Sequence, residues 1–264
     1  IKYKINALLI TDSGESPVGV VSKTDVMGAY YASLPIESPL EQIMISPPLF
    51  CGPDDSLESA LHVMRSRRVY RLYVSGDSSV KPIGILAYPD IVGLLYRYCR
   101  SCEQSIVNRR VLKLVEDSSL RIKVKEVMTP SVTSFSENDS LLEIMEGLSV
   151  NRFGAVLVTD GEGTPSGVIS KTDLILAYKH GVSSEVPARS IVTRAPVRSC
   201  DEDDFIEDAI RTMIFSEVQR LFVHRGNARE IVGVFSLSDA ARVRSGSCHA
   251  CVGSRIRIEG SAAS

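Results

Sequence analysis

In residues 139–148, DSLLEIMEGL, the apolar residues Leu141, Leu142, Met145 and Leu148 recur at helical spacing. This predicts an amphipathic helix with Asn138 or Asp139 as its N-cap. The flanking stretches have a different rhythm. SVTSF (131–135) and GAVLVTD (154–160) are short β-rich runs, GEGTP is a turn, and SGVIS (166–170) is the returning strand. KTDLILAYKH (171–180) predicts a second helix, with Ser170 to Asp173 at its N-terminus. The order is β-α-β-β-α, in a unit of about 60 residues. A sheet this small, with helices on one face, buries its other face by pairing with a second unit.

The unit recurs. Residues 7–30 and 155–178 match at an offset of 148, with 13 of 24 positions identical. At an offset of 149, ESALHVM (58–64) pairs with EDAIRTM (207–213), and VYRLYVS (69–75) with VQRLFVH (218–224). Each half divides again, because GVVSKTD, GILAYPD, GVISKTD and GVFSLSD begin at Gly19, Gly84, Gly167 and Gly233. The expected organisation is an α/β chain of four repeats at 1–33, 39–98, 122–180 and 187–245. A linker at 99–121 and a cysteine-containing tail at 246–264 complete it. By the 148 offset, the opening strand and helix of the first repeat fall before residue 1.

Composition narrows the class. The chain has 264 residues, 44% hydrophobic and 23% charged, with a formal net charge of -2. No basic patch points to nucleic acid or an anionic membrane. Runs such as FGAVLVT are far shorter than the roughly 18–20 apolar residues that span a bilayer. No secretory leader pattern is present, although the sequence opens at Ile1. Six cysteines do not amount to a disulfide framework. Together these read as a soluble cytoplasmic protein.

The four G-x-x-[SA]-x-x-D strings carry the candidate chemistry. Each stands where an apolar strand passes into a helix, and helix N-termini present unpaired amides and a positive dipole end that suit phosphate. The hydroxyls of Ser22, Ser170 and Ser236 can contact a phosphate oxygen. The carboxylates of Asp25, Asp90, Asp173 and Asp239 can accept from a ribose diol. Ser, Thr and Asp at such a junction are also ordinary N-caps. Four copies in register, all choosing aspartate, favour a ligand over a cap. In the second string Ala87 replaces the hydroxyl, so that site is expected to be weaker.

These strings, the RLYVS and RLFVH strands before them, and MTPSV (128–132) resemble CBS domains over residues 1–245. The resemblance implies four CBS repeats paired into two Bateman modules. It implies a non-catalytic regulatory protein that binds AMP, ADP, ATP or S-adenosylmethionine in clefts between paired domains. The motif aspartate would hold ribose, and the nearby Ser22, Ser170, Lys171, Thr172 and Ser236 would contact phosphate or ribose. The even repeats resemble the HRLPVVD strand of the AMP-activated kinase gamma subunit. Arg71 and Arg220 match its arginine, while Tyr70 and Gln219 replace its histidine. Partners would be the small nucleotide and a regulated protein, and the two modules would close into a disc alone or dimerise.

The cysteines allow another reading. Cys51, Cys99 and Cys102 recur 149 residues later as Cys200, Cys248 and Cys251. The pairs Cys99/Cys102 and Cys248/Cys251 are C-x-x-C strings, able to hold zinc or an iron–sulfur centre together or to act as redox switches. A metal- or redox-linked regulator is thus one alternative, and a structural interaction module without ligand is another. No nucleophile–base pair or metal-hydrolase spacing points to catalysis.

Overall fold

A computed structural model describes residues 6–76, 81–93, 122–193 and 197–246, the last five of these by backbone alone. Strands β1 (Ala7–Thr11) and β2 (Pro17–Ser22) with helix α1 (Lys23–Tyr31) form the first repeat. The second has β3 (Phe50–Cys51), α2 (Leu57–Ser66), β4 (Arg71–Val74), β5 (Gly84–Ala87) and a helix beginning at residue 88. The third has β6 (Ser134–Ser136), α3 (Leu141–Val150), β7 (Ala155–Thr159), β8 (Pro165–Ser170) and α4 (Lys171–Lys179). The fourth has β9 (Ser199–Asp201), α5 (Ile206–Phe215), β10 (Arg220–Arg225), β11 (Asn227–Ser236) and α6 (Leu237–Gly246).

The third repeat shows how the pattern becomes structure. Ser140 caps α3 in a reciprocal box. The Ser140 N–H donates to Glu143 Oε2 at 2.8 Å, and the Glu143 N–H donates to Ser140 Oγ at 3.2 Å. Asp139, expected as a cap, instead accepts the Ser136 N–H in the turn before it. Leu141, Ile144, Met145 and Leu148 are the buried face, and Ile144 takes the place expected of Leu142, which is only partly buried. β7 pairs with β8 in an antiparallel hairpin and with β6 in parallel. Parallel pairing requires a crossover, and α3 supplies it. Each of the core side chains contributes about 1.5–3 kcal/mol by burial.

The chain divides into two compact units. One gathers the first and third repeats, and the other holds most of the second together with the fourth. In the first unit, Met27 and Tyr30 of α1 join the core of the third repeat. The segment leading into each later repeat lies on the repeat before or after it in the fold. Residues 186–193 run along the third repeat, with the Leu141 N–H donating to the Val186 carbonyl and Thr193 bridging Val168. Residues 122–129 run along the fourth, with the Val124 N–H donating to the Asp204 carbonyl and Thr129 bridging Val234. Residues 40–45 run along the first, where Ile45 bridges Val20.

This arrangement explains the glycine that opens three of the four strings, all but Gly84. A Cβ at Gly19 would lie 2.5 Å from Met44 Sδ. At Gly167 it would lie 2.7 Å from the Thr193 carbonyl oxygen, and at Gly233 2.6 Å from Met128 Sδ. These three glycines are there because another segment, through a methionine side chain or a carbonyl, comes too close for a side chain.

Candidate functional site

All four string aspartates do the same local work. Asp25, Asp90, Asp173 and Asp239 accept, through Oδ2, the backbone N–H of the residue three before: Ser22 at 2.7 Å, Ala87 at 2.9 Å, Ser170 at 2.7 Å and Ser236 at 3.0 Å. In three of them the serine hydroxyl also donates to the same oxygen, at 2.6, 2.6 and 2.5 Å. In these three it is a capping box with aspartate as the reciprocal acceptor, and at Asp90 only the aspartate half is present. The repetition of aspartate is therefore accounted for by helix capping, and a ligand site must be argued from what surrounds each box.

The surroundings differ between odd and even repeats. The residue opposite the motif serine on the neighbouring strand is Ala7 in the first repeat and Ala155 in the third. In the fourth it is Arg220, directly across from Ser236. Cross-strand partners project to the same face of a sheet. Arg220, Ser236 and Asp239 therefore converge at one end of β10 and β11. Asp239 is 7% exposed and is the charged residue of the core among the described residues. Burial pulls the Arg220 guanidinium below its ordinary value, while Tyr70 and Asp239 act in the opposite direction. Arginine stays protonated through such a shift, so a cation faces a buried carboxylate here.

The Ser236 proton is directed at Asp239, so Ser238 Oγ is the donor in its 2.8 Å contact with Ser236 Oγ. An anion arriving at this corner would meet the Arg220 fork, while the Leu237 N–H is already given to the Gln219 carbonyl and the Asp239 N–H to Ser236 Oγ. Tyr70, which belongs to the same unit, stands edge-on to Tyr88 with ring centroids 5.7 Å apart. In the second repeat, Asp90 is exposed, Ala87 brings no hydroxyl, and Arg71 is half-buried.

In the first unit the two nearly identical strings grip each other. Lys23 Nζ donates to Thr172 Oγ1 at 2.8 Å, and Lys171 Nζ donates to Thr24 Oγ1 at 2.8 Å. Tyr30 and Tyr178 stack at 5.1 Å, inclined by 21°. Tyr30 Oη donates to the Val182 carbonyl, and Tyr178 Oη donates to the Leu34 carbonyl, its counterpart 148 residues away. The sequence reading assigned Lys171 and Thr172 to a ligand and did not foresee this clasp. The signal was present: lysine and threonine are shared by the odd strings and absent from the even ones, and Ala29-Tyr30 downstream recurs as Ala177-Tyr178.

The C-x-x-C residues Cys99, Cys102, Cys248 and Cys251 lie outside the described residues. Among the described residues, no three His, Cys, Asp or Glu side chains gather as a metal set. Cys200 is buried, and desolvation, reinforced by Asp204 and Asp201, pushes its thiol up to about 12. A buried thiol of this kind is inert. With a thiol reagent at pH 8, peptide mass analysis should find Cys200 unmodified in the native protein and modified after denaturation. Labelling of the native residue would contradict this environment.

The family model described as CBS domain matches residues 40–97, 124–180 and 188–246. Uncharacterized protein MK0525 of Methanopyrus kandleri is 26% identical over 124 residues, which is 46% of this chain and 62% of that protein. Inosine-5'-monophosphate dehydrogenase of Methanocaldococcus jannaschii is 23% identical over 197 residues, 74% of this chain but 34% of the enzyme. The chain thus spans less than two thirds of these relatives. The crystal structure of protein MJ1225 from Methanocaldococcus jannaschii superposes with a TM-score of 0.73 at 16% identity, covering 91% of this chain and 88% of that one. An uncharacterized conserved protein from Pyrococcus horikoshii gives 0.60 at 20% identity, covering 91% and 92%. These similarities establish a shared fold. Among the described residues, no helix is long and apolar enough to cross a membrane.

Proposed function

Because the chain belongs to the CBS-domain family, we propose that it is a non-catalytic regulatory protein that binds an adenine nucleotide. The fourth repeat is its principal site. Arg220 takes the phosphate, and the Asp239 carboxylate beside it takes the ribose diol. The observation that carries this reading is the placement of Arg220 opposite Ser236, beside the buried Asp239. The odd sites rank lower because their lysines and threonines are engaged with one another. The description of MJ1225 as a candidate archaeal homologue of g-AMPK supports an energy-sensing role. The nucleotide would act on a regulated protein by binding two arrangements of the chain with different affinity.

Thermal shift with AMP, ADP, ATP and S-adenosylmethionine tests the proposal. A ligand that binds only the folded chain stabilises it by about 2.7 kcal/mol at a hundredfold excess over Kd. The expected result is a concentration-dependent rise in Tm with at least one of these. No rise with any of them would leave a structural module as the better account.

A further inference from the structure

The clasp between the odd strings is crossed. Lys23 and Thr24 open α1, and Lys171 and Thr172 open α4. Each lysine reaches the threonine of the other repeat. Lys23 Nζ lies 2.8 Å from Thr172 Oγ1, and Lys171 Nζ lies 2.8 Å from Thr24 Oγ1. The tyrosines behind them cross in the same way, since Tyr30 Oη donates to the Val182 carbonyl and Tyr178 Oη to the Leu34 carbonyl. Met27 and Tyr30 of α1 share one core with Leu174 and Ala177 of α4. The crossing therefore stands on a packed helix pair and not on two long side chains alone.

We infer that, where the chain binds nucleotide as proposed, the odd strings exchange their phosphate-binding cations. Lys23 of the first repeat serves the string of the third, and Lys171 of the third serves the string of the first. Thr172 lies inside the box that Ser170 and Asp173 form. Its hydroxyl accepts from Lys23 on a lone pair and keeps its own proton to donate. A phosphate oxygen that takes this proton comes to lie beside the Lys23 ammonium, which acts on it as a compact point charge. Lys171, next to Thr172 in sequence, carries its charge to Thr24 instead. The engagement that lowers the rank of the odd sites thus also fixes which cation each one uses.

The sequence points to the opposite assignment, with Lys171, Thr172 and Asp173 around one ligand. The two halves of the exchange are also unequal. The Lys23–Thr172 bond is half-buried and the Lys171–Thr24 bond is exposed. Solvent and salt screen the exposed pair more, so Lys23 carries the larger share.

Amide NMR of the 264-residue chain during titration with AMP reads each string separately, through Thr24 and Thr172. Lys23→Met should raise the Kd read at Thr172 by about tenfold or more, the loss of one charge-assisted hydrogen bond, and leave the Kd read at Thr24 within about twofold. Lys171→Met should do the reverse, with a smaller effect. Lys23→Arg keeps the charge and should retain most of the affinity at Thr172. A lysine that acts on its own string would overturn the inference. So would equal changes at both strings, or none, which mark a clasp that is only structural. A parent chain whose Thr24 and Thr172 resonances ignore AMP would overturn it as well. In that case a response at Ser236 would leave the nucleotide site of the fourth repeat standing.

Discussion

Gly167→Val is expected to destabilise the protein by about 1–3 kcal/mol, the range for forcing atoms into a packed interior. The new Cβ would sit 2.7 Å from the Thr193 carbonyl oxygen and 2.7 Å from Val192 Cγ2. The antiparallel bridge between Val168 and Thr193 would have to open. Gly84→Ala, at the equivalent position of the second repeat, should stay within about 0.5 kcal/mol of the parent, because its Cβ would meet only Val74, at an ordinary contact distance of 3.8 Å. Urea denaturation of the two variants makes the comparison. Similar losses at both positions would show that conformational freedom, not close approach, selects glycine in the motif.

Arg220→Ala is expected to weaken nucleotide binding by about tenfold to a hundredfold, the effect of losing a charge-assisted hydrogen bond of about 1.5–3 kcal/mol. Arg220→Lys should recover only part of the loss, since an ammonium cannot reproduce the planar fork. Arg71→Ala should cost less, because its site lacks a serine hydroxyl and its aspartate is exposed. Equilibrium titration with AMP distinguishes these. Equal effects of the two alanine variants would contradict the ranking of the even sites.

The repeat, the β-α-β-β-α order and the strand-to-helix position of each string were legible because hydrophobic period and duplication are local properties of the sequence. Helix α3 was placed within two residues. Its cap moved from Asp139 to Ser140, since the carboxylate was already used by the Ser136 N–H. What could not be read was partnership. The clasp between Lys23 and Thr172 joins residues 149 apart, and no local pattern states that the two strings meet. The glycines were equally opaque. Their reason lies in Met44, Thr193 and Met128, which reach them from other segments.

The aspartates are the most instructive case. Their fourfold recurrence looked like recognition of a ligand, yet the reciprocal cap explains it by itself. An arginine on the preceding strand, Arg71 or Arg220, separates the even copies from the odd ones, and only the fourth adds a serine hydroxyl and a buried aspartate to it.

A paired calorimetric titration of AMP into Asp239→Asn and Asp173→Asn tests the proposed binding corner of the fourth repeat most directly. Asparagine keeps an oxygen for the cap and removes the charge, so both variants should remain folded. The predicted result is a loss of about tenfold or more in affinity for Asp239→Asn, with Asp173→Asn close to the parent. Unchanged binding in Asp239→Asn, or a loss confined to Asp173→Asn, would contradict it.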